Sequence, residues 1–592
     1  MLLSMRQTVT AKEIYVDQNA TGADDGSNWS DAFTSLPKAI AEANLTPSGD
    51  DIILSAGTYS PVLSQVVTAP CVVRGTTGVT IYKDSAVCAF EILFTNIHFF
   101  DVAFDGTAPK VNAQGGNMRF DRCEFRNCEK TCIEGNACNA MEFRDCVFAD
   151  NGFEHTQHEE GAAVVGRDCR QVLLDGCDLL QNRVRQCGGA VFLDGCADVR
   201  FVSCVFSENS TYMERNSLWA GYQNGGAVYC HEYETVLFNR CEFDHNQAFY
   251  EGGAVALCEG QISEFYDCNF INNDIIECGG AIAVRSFDVI GNCIVRNCTF
   301  GQNMMGISGG AIWGCGHLDI QKSLFTGNSG RHDRSLTGGA VSWCGSLDMN
   351  ECVLENNQSG ERGGALNVHG NWRFVPDISV QNSVFKSNKS QNGGAIACDL
   401  DEGWTANLVN NVVVDNTADA GGGIYLCCPA SGGPGTLSLC NCTVANNRAI
   451  QAGGIFIDQL WIAVPDCELY NTILWGNRDT TSRLPIREQI NRPPLWAAQC
   501  CVEDPTGASA LWGTGIINAD PKMRTGGSLG VRSPCIDAGD LTLFPSANVA
   551  AELDVVGNPR VIGPEIDMGA FENNRSGGFQ PPSGFQPLSF GD

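Results

Sequence analysis

Basic residues are scarce in this chain: 37 Lys and Arg stand against 68 Asp and Glu in 592 residues, a formal net charge of −31, and no Lys/Arg run offsets it. A surface of that sign repels phosphate backbones and anionic headgroups, which excludes nucleic acid and direct membrane-surface binding as functions. No run of about eighteen apolar residues occurs, so no membrane span is expected. No repeat holds the apolar stripe of a helix. A Gly-x-Ser-x-Gly elbow, a phosphate-binding loop and a dinucleotide fingerprint are all without supporting context, and no Cys-x-x-Cys pair has a matching second half.

What the chain has instead is a repeat. A Gly-Gly-Ala-Ile/Val landmark opens at Gly188, Gly225, Gly252, Gly279, Gly309, Gly338, Gly363, Gly393, Gly422 and Gly453, at intervals of 25 to 37 residues, with a degenerate copy at Glu160-Gly161-Ala162. Each is followed by a Cys-x-Phe-x-x-Asn segment, as in Cys204–Asn209, Cys241–Asn246, Cys268–Asn273 and Cys298–Asn303. Short alternating apolar runs punctuated by Gly and Asn predict several strands per unit. One such unit cannot bury its apolar face alone, so units stack and strands of equal position pair in parallel. The expectation is an all-β right-handed parallel β-helix of ~13 to 15 coils, with a short N-terminal capping helix and an irregular C-terminal closure. The paired glycines serve sharp bends and close backbone approach, and each Asn is expected as a left-handed turn residue whose amide bonds the same Asn one coil away.

The 31 cysteines would ordinarily suggest disulfides. Their placement argues for packed thiols instead. Cys123, Cys146, Cys177, Cys204, Cys241, Cys268, Cys298, Cys352 and Cys442 share one repeat position, where Ser323, Ser383 and Asn411 substitute. A looser second column holds Cys230, Cys258, Cys315, Cys344, Cys398 and Cys427. Stacked neighbours stand roughly 4.8 Å apart with parallel Cβ vectors, slightly too wide for a disulfide. Zinc ligation by individual cysteines is the lesser alternative.

Along the chain, residues 1–13 are expected to be a signal remnant or disordered, since Met1-Leu-Leu-Ser-Met5 is too short for an apolar signal core while Val9-Thr-Ala11 suits cleavage. Residues 14–68 are expected to form the N-terminal cap and first coil, with Ser35 as N-cap, Pro37 in the first turn and Leu36, Ile40 and Ala43 on one helical face. The β-helix repeats are expected over 69–477, an irregular capping region over 478–572, and a flexible tail over 573–592 whose duplicated Gly-Phe-Gln-Pro could support self-association.

The order Ile14–Phe33, Ser35–Asn44, Asp50–Tyr59 resembles the opening of secreted bacterial pectate-lyase-like β-helix proteins, and Ser533–Asp540 with Asp554–Glu572 resembles their terminal region. The Gly-Gly-Ala-Ile/Val and Phe-x-x-Asn tetrapeptides, over about residues 120 to 477, are similar to those of the chlamydial polymorphic outer membrane proteins, surface-displayed adhesin passengers. That resemblance implies an extracellular or cell-surface location and an adhesin-like or structural role. Those proteins end in a membrane barrel, and nothing after Arg478 offers the alternating strands that a barrel needs.

Asp194, Glu232 and Glu259 fall six or seven residues after their Gly-Gly landmarks and are the catalytic candidates. In register, three stacked carboxylates would suit glycoside hydrolysis or Ca²⁺, the one cofactor admitted; a solvated acidic turn column is the alternative. Asp399 and Asp458 hold similar places farther on, and Arg285 is the nearby basic residue that lyase chemistry would want. Tyr212, Trp219 and Tyr222, in extra sequence before Gly225, are the candidate sugar-stacking platform; a loop folded over an apolar flank explains them equally. His155 and His158 with Glu159 and Glu160 could present a metal, against the simpler reading of a polar loop, and no metal site is assigned. The expected function is presentation of loops to an extracellular polysaccharide or cell-surface glycan. A polysaccharide lyase or glycoside hydrolase is the alternative.

Overall fold

Each turn of the chain is built from three short strands that pair in parallel with the strands of equal position one turn before and after. In the computed structural model, which describes residues 11–47, 49–83, 88–106, 108, 110–152, 160–212, 224–285, 291–330, 337–370, 377–428, 434–458, 464–481, 485–504, 506–544 and 552–573, the pattern makes a β-solenoid of about 14 turns with very little helix. The expected fold class holds. The chain divides at about residue 270 into two units, taken in turn below.

In the first unit, the turn that opens at Gly188 contributes Val191–Asp194, Asp198–Val202 and Val205–Ser207. Val191 lies opposite Val228, Val199 opposite Val236 and Phe206 opposite Phe243, all in parallel. Identical register stacks like on like: Phe206 and Phe243 rings lie 4.7 Å apart at 1°, and Phe201 and Phe238 4.7 Å apart at 8°. The helix Leu36–Ala43 buries Leu36, Ala39, Ile40 and Ala43 over the first strands. Ser35 has the extended backbone of an N-cap, yet its side chain makes no capping bond.

The bend explains the glycines. Gly225 has φ 66°, and a Cβ on Gly226 would stand 2.0 Å from the Gly253 carbonyl oxygen, a distance no side chain tolerates. In the second unit the left-handed residue is Gly421 rather than Gly422, and Ala452 rather than Gly453. Ile396, Ile424 and Ile455 are register partners, so both landmarks begin one residue earlier than the glycine pattern suggests.

The asparagines are buried ladder rungs, with a correction to their backbone. The left-handed residue is the one before each rung, such as Glu208, His245, Asn356 or Asn446. The rung itself turns inward: Asn209 donates from its backbone N and its Nδ2 to Asn246 Oδ1, and from Nδ2 to the Leu179 carbonyl. The second unit continues the same motif through Asn328, Asn357, Asn388, Asn416, Asn447 and Asn477. Gln489, fully buried in the helix Pro485–Gln489, accepts from Asn477 Nδ2 at 2.7 Å and stands where the next rung would be.

None of the 31 cysteines, all of them among the described residues, is joined in a disulfide, and 28 are buried. The second sequence column resolves into two faces. Cys230 and Cys398 point inward beside Leu193 and Val368, whereas Cys258, Cys315, Cys344 and Cys427 are one residue later and face outward.

Residues 519–544 and 552–573 run along the second unit. Phe571 and Val555 pack on Val384, Val412, Val414 and Ala445, and Met568 and Leu529 pack on Ile473 and Cys501. This cover is why the strands Val412–Val414 and Thr443–Ala445 are buried on both faces. Beneath it Arg560 is fully buried, donating to the Gly569 carbonyl and facing Glu572 at 4.0 Å.

Candidate functional site

Counting from the left-handed residue of each turn, positions four and six of the first strand face outward, and the residue just before the bend rises beside them. In the second unit these positions gather an unusual set. Asn367, Ala397, Tyr425 and Phe456 are register partners at position four, and His369, Asp399 and Cys427 at position six, with Asp458 just past the last paired residue, Ile457. Arg362, just before Gly363, supplies the wall.

Arg362 Nη1 reaches Asp399 Oδ1 and Oδ2 at 2.7 and 2.5 Å, and its guanidinium lies 5.9 Å from the Tyr425 ring centroid. The pair is half-buried, with side-chain exposures of 22% and 19%. Cys427 donates its thiol proton to Asp399 Oδ1 at 2.8 Å, and the Tyr425 hydroxyl donates to Asp458. Tyr425 is buried and stacks at 5.8 Å and 3° on Phe456, which is half-buried and forms the outer ring of the pair.

Burial is the main electrostatic force here. It pulls the Arg362 pKa down, but Asp399, Cys427 and Tyr425 outweigh it and the net shift is upward, so the guanidinium stays charged and is no proton acceptor. It pushes the Cys427 thiol and the Tyr425 hydroxyl up, with Asp399 and Asp458 adding to the respective shifts. It pushes His369 down, which Asp399 opposes and Arg362 reinforces, leaving a neutral imidazole.

The first unit carries a second ledge at the same positions. Val165, Phe192, Tyr229 and Ala256 occupy position four, and Arg167, Asp194, His231 and Cys258 position six. Phe192 is buried and stacks at 5.4 Å on half-buried Tyr229; Arg167 lies over Phe192 and pairs with Glu134 and Glu160. Asp194 Oδ1 meets His231 Nδ1 at 2.8 Å.

Asp194, Glu232 and Glu259 do not form one column, which corrects the expected register. Asp194 is opposite His231, whereas Glu232 and Glu259 are one residue farther on, in the left-handed turn at φ 51° and 52°. The six-versus-seven spacing already contained this offset, and a one-residue slip changes which way a side chain points. Asp399 pairs with Cys427, and Asp458 follows Ile457, the register partner of Leu426. Tyr212 is half-buried; Trp219, Tyr222, His155, His158 and Glu159 lie outside the described residues. Glu160 is engaged by Arg167, and Arg285 holds position six in the second unit, near Glu277. Among the described residues no group of three or more His, Cys, Asp or Glu side chains is placed to hold a metal ion.

Sequence reasoning missed Arg362, His369, Tyr425 and Cys427. The signal was the Ile column: aligned on Ile424 rather than on the glycines, Tyr425 and Cys427 fall at positions four and six.

Residues 77–258 match the family model described as a right handed beta helix region. The chain is a right-handed parallel β-helix. No curated protein matches it. Among solved structures it is similar to tailspike protein 3 of bacteriophage CBA120, at 11% identity over 90% of this chain and 64% of the tailspike, with a TM-score of 0.29, and so spans less than two thirds of that protein. It is similar also to pectate lyase Pel9A, at 12% identity over 95% of this chain and 97% of the lyase, with a TM-score of 0.19. Scores this low carry no argument about function. Among the described residues no helix is long and apolar enough to cross a membrane.

Proposed function

We propose that this β-helix is an extracellular glycan-binding protein whose outward ledges receive sugar rings. The observation that supports the reading is the second-unit ledge, where the outer ring of a stacked aromatic pair lies beside the carboxylate of Asp458 and the half-buried Arg362–Asp399 pair. An aromatic face takes the apolar side of a pyranose, while carboxylates and a guanidinium take its hydroxyls. The site is thus in the coils themselves. Insertion-loop residues such as Tyr212 extend the same proposal to the first unit.

A second reading, glycoside hydrolysis, has one specific support: Asp399 and Asp458 lie two coils apart, ~9.6 Å of backbone separation, close to the upper end of the range for an inverting carboxylate pair. Lyase chemistry through Arg362 has less support, since Asp399 holds that group charged.

The test is retention of the protein on immobilised neutral, amino and acidic polysaccharides, with reducing and unsaturated ends followed in parallel. Retention without new ends, weakened by Phe456→Ala, is the expected result. Turnover abolished by Asp458→Asn would replace binding by hydrolysis, and no retention on any polymer would end the proposal.

A further inference from the structure

The first-unit ledge holds an arrangement that glycan binding does not use. Asp194, His231 and Cys258 are consecutive register partners on three successive coils, with Tyr229 two residues before His231 on the same outward face. Asp194 Oδ1 holds His231 Nδ1 at 2.8 Å. Cys258 is the register partner of His231 on the next coil, on the side away from the Asp194 coil. The Tyr229 hydroxyl is close enough to the Cys258 thiol for the two to interact electrostatically. Beside them Val165, Cys187 and Phe192 form a small buried apolar wall. Asn224, 1% exposed and just before the bend of the same turn as His231, has a buried Oδ1 without a hydrogen-bond partner.

We propose that Cys258, His231 and Tyr229 form a thiol acyl-transfer site, with Asp194 as the positioning residue, that hydrolyses small carboxylic esters such as an O-acetyl group. Nucleophile, base and orienter occupy the order that acyl transfer requires, and the order comes from coil register alone. His231 Nε2 takes the thiol proton as Cys258 Sγ attacks the ester carbonyl carbon. The developing oxyanion accepts from the Tyr229 hydroxyl, which burial keeps protonated. The carbon–oxygen bond breaks, the alcohol leaves with the proton from His231, and the acyl group stays on sulfur as a thioester. Water, giving a proton to His231, attacks the thioester; the carboxylic acid departs and the thiol regains its proton. Ester and water give acid and alcohol, with no other reactant. The short apolar wall selects a short acyl chain.

The proposal is independent of the glycan reading. It is tested with p-nitrophenyl acetate and the full chain: the reaction is quenched in acid, digested, and the acetyl adduct located by mass spectrometry. Cys278, Cys315 and Cys344 are more exposed than Cys258, which is 6% exposed, so accessibility alone would place the adduct on them. The expected result is an adduct on Cys258 first. Cys258→Ala abolishes turnover and His231→Ala lowers it about a hundredfold. Asp194→Asn lowers kcat with KM unchanged, since the imidazole loses the carboxylate that holds it in place while the substrate contacts stay. Adducts confined to the exposed cysteines, no adduct at all, or undiminished turnover in Cys258→Ala would each overturn it. The adduct map needs no variant, so a variant that fails to fold does not rescue the idea.

Discussion

The two ledges use the same repeat positions and nearly the same residues, yet the order along the column differs. In the first unit the sequence of partners is Asp194, His231, Cys258; in the second it is His369, Asp399, Cys427. With histidine in the middle, the carboxylate holds an imidazole whose partner on the next coil is a thiol. With the carboxylate in the middle, Arg362 and the thiol proton both converge on it, and the histidine is left neutral and half-buried. A solenoid makes such permutations easy, because each coil offers the same outward address and only the residue placed there changes. Chemistry in this fold is therefore set by the order of residues along a column.

The coils that display the two ledges are expected to be equivalent, and the largest effect should be the same in both. Asn246→Ala in the first unit and Asn416→Ala in the second each leave two donors of the preceding rung, backbone N and Nδ2, without their acceptor. Each is expected to cost about 3 kcal/mol, read from urea or thermal unfolding. A cost confined to one unit would show that the ladder is not a uniform support and that the ledges differ for reasons outside their own residues.

The wall arginines should separate the ledges by a smaller amount. Arg362→Ala strands the Asp399 carboxylate in a half-buried site and is expected to destabilise by ~2–3 kcal/mol. Arg167→Ala removes a guanidinium 34% exposed, whose partners Glu134 and Glu160 are 40% and 31% exposed, and is expected to cost about 0–1 kcal/mol. Equal costs in unfolding experiments would contradict the claim that the second ledge is the more deeply desolvated.

A pH series sharpens the contrast, because the second unit also carries the buried cluster under its C-terminal cover. Burial, aided by Asp567, pushes Glu572 up to about 8 against an opposing pull from Arg560. The folded protein then binds a proton that the unfolded chain releases near its ordinary value of 4.5. The stabilisation is complete below that value and is lost as pH rises through about 8. Because the group titrates together with Arg560, Asp554 and Asp567, the expected change is on the order of 2 kcal/mol. Glu572→Gln should flatten this slope; a second-unit transition equally steep in pH without Glu572 would assign the slope to another group.

Most of the fold was legible because the repeat is a periodic signal. Gly188 and Gly225, Phe206 and Phe243, Asn209 and Asn246 recur at one register, and a register shared by many coils has only one stacked solution. The site was less legible for the same reason. Arg362 lies before the bend in a position that varies from turn to turn, and the triple glycine at Gly421 hid the register of Tyr425 and Cys427. Asp194, Glu232 and Glu259 looked alike in spacing while one residue of offset put them on different faces. The C-terminal cover was not visible as such, since contacts of Phe571 with Val384 and Val412 join residues far apart with no period to reveal them.

The smallest expected effect concerns the outer rings. Tyr229 and Phe456 are each half-buried and each backed by a buried ring, Phe192 and Tyr425. Replacing the outer ring by alanine removes the exposed face while the backing ring and the charged neighbours stay in place. One aromatic face contributes about 1 kcal/mol to a stacked contact, so Phe456→Ala should weaken glycan retention by roughly fivefold to tenfold. Tyr229→Ala should weaken it less if the second ledge is the main sugar site, and should instead slow ester turnover, because the hydroxyl beside Cys258 is lost. Retention and turnover measured on the same two variants therefore separate the roles: if each variant impaired both activities equally, the two ledges would be one functional surface and the contrast in column order would have no chemical meaning.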